Sequence, residues 1–477
     1  MNPGAASTDG RLVDAVLLPG FSGETVPDWL ARAVDGGLAG VCVFSSNVGP
    51  GFTELTAALH DRRAGMLVAS DEEGGSVTRL EHRDGSSWPG AVALGRLDDC
   101  GVTEAVAAGM GRQCRAAGVD IALAPVVDVN AEPENPVIGI RSFGATPDLV
   151  ARHTAAFVRG LQSAGTAATA KHFPGHGSTV VDSHRALPVV GADLATLRSR
   201  DLPPFAAAVE AGVRCVLTAH VLFPALDDRP ATMSAALLGL LRRELGFEGV
   251  VISDAVDMAA IAGTVGRGPG AVAAVAAGVD LVCIGNPSNG YDDEAGYLEV
   301  RHALLAALAD GTLTRLRLAD AGQRVAQLAD WVSAAAVSPD GPAFDLGRQI
   351  VRRVVEARGD VRVGAAPHLL DLTGPENVAA GRRREPWLAA ALRRRDPGAT
   401  AGGPDLPDAG RPLVAVVTGP SAALDAVRDA RPDAVVVHVG MPDRWRASAP
   451  SVTVWGDGRA QADVAAELLM GRGGKLG

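Results

Sequence analysis

Over the first 290 or so residues, short apolar or β-branched runs alternate with longer stretches rich in Ala, Leu and Arg that keep a helical period. The apolar runs that end in polar or glycine-rich loops are "LVDAVLLPGF", "LAGVCVF", "GMLVASDEEGG", "DIALAPVVDV", "GTAATAKHFPGHG", "RCVLTAHV", "GVVISDAVDM" and "VDLVCIGN". Runs of this length separated by helical stretches mark βα units with buried parallel strands. Eight in succession predict an α/β fold whose first part is a (β/α)8 TIM-type barrel, spanning residues 1–335. Asp71, Asp128, Lys171, His220 and Asp254 all fall where these runs end. That is the edge at which such barrels build their active sites.

The pattern changes after the helical stretch "TRLRLADAGQRVAQLADWVSAAAV". The Pro- and Gly-containing "SPDGPAFD" reads as part of a linker, placed at residues 336–350. Beyond it "DVRVG", "HLLDLTG", "LVAVVTG", "AVVVHVG" and "SVTVWGDG" alternate with helix-like stretches. They predict a smaller C-terminal α/β domain over residues 351–477, an αβα sandwich of parallel strands. No G-x-G-x-x-G follows any of them, which argues against a dinucleotide site. The arginine clusters 382–384 and 393–395 read as a solvated face.

Composition narrows the function classes. The chain has 477 residues, 47% hydrophobic and 21% charged, and a formal charge of -11 without a basic tail. That balance argues against nucleic acid as a partner. Its five cysteines, Cys42, Cys100, Cys114, Cys215 and Cys283, are odd in number, widely spaced and free of C-x-x-C pairing, which fits a reducing, cytoplasmic setting. The amino-terminal segment lacks a basic region before its short apolar run, which Asp14 interrupts, so neither a signal peptide nor a membrane anchor is expected.

The ionisable groups concentrate in "KHFPGHGSTVVDSHRALPVV", residues 171–190, which holds three of the ten histidines and one of only two lysines. His172, His176, His184 and Asp182 are of the types that bind zinc, but the intervening Pro and Gly residues break the helical i, i+4 spacing and Lys171 would repel a cation. As a plain loop, the stretch would use its histidines to bond backbone, and His176 is assigned that architectural part. As a catalytic loop, "DSH" lets Asp182 orient His184 and favour its protonated form, giving a general acid and base. Asp254 is the candidate partner, delivered by an apolar strand, whereas Asp257 is expected to cap the next helix. A carboxylate facing a proton donor is the equipment of a retaining glycosidase.

"KHFPGHGSTVVDSH" resembles the signature of glycoside hydrolase family 3, in particular the bacterial β-N-acetylglucosaminidases of the NagZ type. "DEEGGSVTRL", "APVVDVN", "VIGIRSFG", "TAHV" and "ISDAVDM" recur in that family's order. The resemblance implies a barrel enzyme without metal or organic cofactor, acting on small carbohydrate substrates that end in non-reducing β-linked N-acetylglucosamine. It implies Asp254 as nucleophile and His184, assisted by Asp182, as acid and base. Asp71, Arg79, Arg141, Lys171 and His172 would line the sugar subsite. Ser76, where the family often has arginine, and Ala255, where it often has a second aspartate, bear on the pocket's polarity. Two-domain members carry an α/β sandwich after the barrel. The natural substrate would be a muropeptide or a chito-oligosaccharide. A phosphorylase using the same residues, a metal-dependent hydrolase of the amidohydrolase kind and a non-catalytic sugar-binding protein stand as alternatives.

Overall fold

The structure is a computed structural model that describes residues 8–335, 345–374, 378–381, 385–403, 406, 410–441, 445 and 447–471. The chain divides into two compact units. The first comprises residues 1–72, 103–137 and 145–342, and the second comprises 73–102, 138–144 and 343–477.

In the first unit each of the eight apolar runs contains a strand. These are β1 Leu17–Pro19, β2 Gly40–Val43, β3 Leu67–Ser70, β4 Ile121–Ala122, β5 Ala167–Phe173, β6 Cys215–Thr218, β7 Val250–Ile252 and β8 Val282–Gly285. Strands β2 to β7 pair in sequence order, all parallel, and β8 pairs parallel with β1. An isolated parallel bridge, Ile252 with Leu281, links β7 to the start of β8. Leu18, Cys42, Ala69, Ile121, Ala167, Cys215, Ile252 and Cys283, one from each strand, belong to a single buried cluster, which is the filled interior of a (β/α)8 barrel. Val325, Leu328, Ala329 and Val332 of the helix Arg315–Ala334 join this cluster. Cys42, Cys114, Cys215 and Cys283 are buried and all five cysteines are free thiols.

In the second unit β9 Glu356–Arg358, β10 His368–Leu372, β11 Thr400–Gly402, β12 Leu413–Val417, β13 Val435–His438 and β14 Ser451–Thr453 form one sheet in the order β11-β10-β12-β13-β14-β9. All pairs are parallel except β14 with β9. Side chains of β12 alternate: Val414 and Val416 join a cluster with Leu388, Leu392 and Ala465, while Leu413, Ala415 and Val417 join Leu424 and Val427. Helices therefore cover both faces.

The sequence expectation names one strand that is absent here and misses two, β9 and β11. "DVRVG" is not a strand: Val361 is buried, but the Val363 amide donates to the carbonyl of Leu469 at the end of the last helix instead of to a sheet. The antiparallel strand lies just before it, at β9. Of the expected linker, residues 336–344 lie outside the described residues, and Asp345 opens a helix to Val354. The arginines at 382–384 also lie outside them. Arg393, Arg394 and Arg395 end a helix and pair with Glu385, Asp463 and Glu467.

Candidate active site

The small residues of "GTAATA" let β5 run fully buried through the barrel until Lys171 and His172 emerge at its carboxyl end. The register with β6 steps there, Lys171 lying opposite Leu217 and Phe173 opposite Thr218, so His172 is an extra residue. Such bulges re-aim side chains at barrel rims. The Lys171 ammonium donates to Asp71, just past β3, at 2.8 Å. The His172 Nδ1 donates to Asp128, beyond β4, at 2.7 Å, and this bond presents the other ring nitrogen. Asp128 is fully buried and also accepts the backbone amides of His172 and His176. Burial pushes the Asp128 carboxyl up, but the charge and hydrogen bond of His172 with the His176 amide outweigh it, and it stays below the usual carboxylate value.

On the loop after β5, His184 donates twice to Asp182 Oδ1, from its amide at 2.9 Å and from Nδ1 at 2.8 Å. Burial raises Asp182, and these bonds more than reverse it, so the carboxylate is held ionised. With Nδ1 bound, Nε2 is the His184 atom that can give or take a proton.

Asp254 follows β7. Its amide lies 3.4 Å from the Thr218 hydroxyl and its Oδ1 accepts the Ala255 amide at 2.8 Å. Burial raises its pKa, but the fields of His220, His172 and His184 together with the Ala255 amide prevail and hold it below the ordinary carboxylate value. An ionised carboxylate among imidazoles is ready to act as a nucleophile. His220, fully buried after β6, donates through Nε2 to the Ala255 carbonyl at 2.9 Å and bonds the Thr232 hydroxyl through Nδ1 at 2.8 Å.

The first unit thus brings together Asp71, Lys171, His172, Asp182, His184 and Asp254. Arg79 and Arg141 belong to the second unit. There Arg141 makes a buried two-pronged ion pair with Glu73, both bonds 2.8 Å, and Arg79 donates to the Ala379 carbonyl at 2.9 Å.

Asp257 does not cap the following helix. It accepts the Asn286 amide at 3.0 Å and the Asn289 side chain at 2.8 Å, tying the β7 loop to the β8 loop. The carboxyl fits because Gly285 has no Cβ: one there would stand 2.0 Å from its carbon. Burial lifts Asp257 to about 6, and the Asp254 charge adds to the rise. The folded protein holds this proton more tightly than the unfolded chain does. Asp257 therefore favours folding below the ordinary value of 3.8, and the contribution is lost as pH rises through about 6. Relative to the parent, Asp257→Asn is expected to gain about 2 kcal/mol between about pH 4 and about pH 7, measured by urea unfolding at each pH. A pH-independent difference would mean that the carboxyl ionises freely.

Residues 38–328 match the Glycosyl hydrolase family 3 N terminal domain. The chain belongs to glycosyl hydrolase family 3. A relative named beta-hexosaminidase, from Xylella fastidiosa (strain M23), is 40% identical over 287 residues, covering 57% of this chain and 84% of that protein. Beta-hexosaminidase A of Pseudoalteromonas piscicida is 35% identical over 281 residues, or 55% of this chain, and the match spans about half (47%) of that longer protein. Among solved structures, a family 3 beta-N-acetylglucosaminidase from Paenibacillus sp. str. FPU-7 matches with a TM-score of 0.79 and 29% identity, covering 98% of this chain and 97% of that one. The chain is accordingly a glycoside hydrolase.

Asp128 and His220 are legible in the sequence as groups at the active-site edge of the barrel but without a partner, and His176 only as a loop residue. Each bonds a group that lies remote in sequence or on the far side of a loop.

Proposed function

We propose that this family 3 glycoside hydrolase is a retaining exo-β-N-acetylglucosaminidase that removes terminal β-linked N-acetylglucosamine through a covalent glycosyl-enzyme intermediate. The observation that carries the proposal is Asp254 held ionised at the end of β7 in the field of His184, itself bound to Asp182. Asp254 attacks the anomeric carbon as doubly protonated His184 gives its Nε2 proton to the departing glycosidic oxygen. Neutral His184 then takes a proton from water, which attacks the same carbon and releases Asp254. Asp71, Lys171 and His172 hold sugar hydroxyls, a polyol requiring convergent donors and acceptors. The names of the relatives support the N-acetylhexosaminide class. The natural aglycone is taken to be an anhydromuramyl peptide or a further chitin-type sugar, handled in the cytoplasm. Among the described residues no helix is long and apolar enough to cross a membrane.

Among the described residues no group of three His, Cys, Asp or Glu side chains is placed to hold a metal ion. Proton NMR of an aryl β-N-acetylglucosaminide turned over in phosphate buffer with EDTA tests the proposal. The β-anomer of the free sugar is expected first. The α-anomer would overturn retention, sugar 1-phosphate would make the enzyme a phosphorylase, and loss of turnover restored by zinc would return the metal-dependent reading.

A further inference from the structure

The segment that carries the acid and base has few buried residues. Among residues 180–187 only Ser183 is buried, whereas Val180 and Val181 are 59% and 36% exposed. Ser183 sits between Asp182 and His184, and its hydroxyl lies 2.9 Å from the Nε2 of His176. His176 is 1% exposed and is itself fixed on three sides. Its amide donates to Asp128 at 2.7 Å, its carbonyl accepts from Asn135 at 2.8 Å, and its ring meets the His172 ring edge-on at 5.9 Å between centroids.

We infer that His176 is a positioning residue for the acid and base: through Ser183 it anchors the Asp182–Ser183–His184 turn to the Asp128 hub that also orients His172. This role rests on the proposed function of His184. The His176 Nδ1 is buried without a hydrogen-bond partner among the described residues. A bare lone pair is less costly there than a stranded N–H, so the ring hydrogen sits on Nε2 and is donated to Ser183. Burial, with the charge of His172, pushes His176 down to about 4, and the neutral ring cannot compete with His184 as proton donor. Where Ser183 is the one buried residue between 180 and 187, its bond to His176 helps set the position of its two neighbours.

A merely structural histidine and a positioning one differ in which substrates suffer. His176→Leu is expected to lower kcat/KM about 10- to 100-fold for glycosides with poor leaving groups, the range a misplacement of about 1 Å produces. Dinitrophenyl glycosides, which need little protonation, should change less than threefold. His176→Gln, which retains an N–H at the same reach, should recover most of the loss. In a His184→Ala background, adding His176→Leu should cost nothing more, because the group it positions is gone. Equal losses across leaving groups, or losses that multiply in that background, would overturn the inference. If His176→Leu does not fold, Ser183→Ala removes the other end of the bond and must show the same leaving-group pattern. Should His184→Ala alone show no leaving-group dependence, the acid and base assignment itself fails. A normal His184→Ala result with multiplying losses defeats only the part given to His176.

Discussion

Replacing Asp254 with alanine is expected to lower kcat by roughly 10⁴-fold while leaving the sugar bound. The size follows from the step that is lost, since without the carboxylate no glycosyl-enzyme bond can form and water must attack unaided. Global stability should hold, because the Asp254 carboxylate bonds the amide of the adjacent Ala255. Azide added to Asp254→Ala should enter from the vacated face and yield the α-glycosyl azide, identified by NMR. A variant that keeps kcat within tenfold of the parent, or gives no azide adduct, would displace Asp254 from the nucleophile's role.

His184→Ala should produce the second largest loss, and its signature is selectivity. General acid catalysis is worth about 10²- to 10⁴-fold, and all of it is at stake when the leaving group is a sugar or alkyl alkoxide. A dinitrophenolate departs without a proton, so formation of the intermediate should hardly slow for that substrate and its breakdown should become limiting. Asp182→Asn should give a milder version of the same pattern, since it loses the charge that favours the imidazolium yet keeps a partner for Nδ1. Equal losses for good and poor leaving groups would show that His184 is not the proton donor.

The eight barrel strands were readable because every one of them feeds the closed interior, which demands an apolar run from each unit. The second sheet was less so. "DVRVG" has the composition of a strand, yet its amide bonds a helix end, and β11 is the three-residue Thr-Ala-Gly with no apolar run to betray it. At the site, Asp182 and His184 were legible because the pair is assembled within three consecutive residues. Asp128 and His172 are 44 positions apart and meet only because neighbouring strands place them together. Asp257 was misread for the same reason: helix capping is a local rule, and the groups that claimed this carboxyl are Asn286 and Asn289 on another loop.

The residues proposed as proton donor, orienting carboxylate, anchor and two sugar-holding groups all lie from Lys171 to His184, while the proposed nucleophile, Asp254, stands apart. The two halves of the reaction lie in separate pieces of chain, yet they are not independent, because the fields of His172 and His184 help to hold Asp254 ionised. Exchange of the loop after β5, by recombination or by design, would therefore retune the departing aglycone and the capture of the anomeric carbon together.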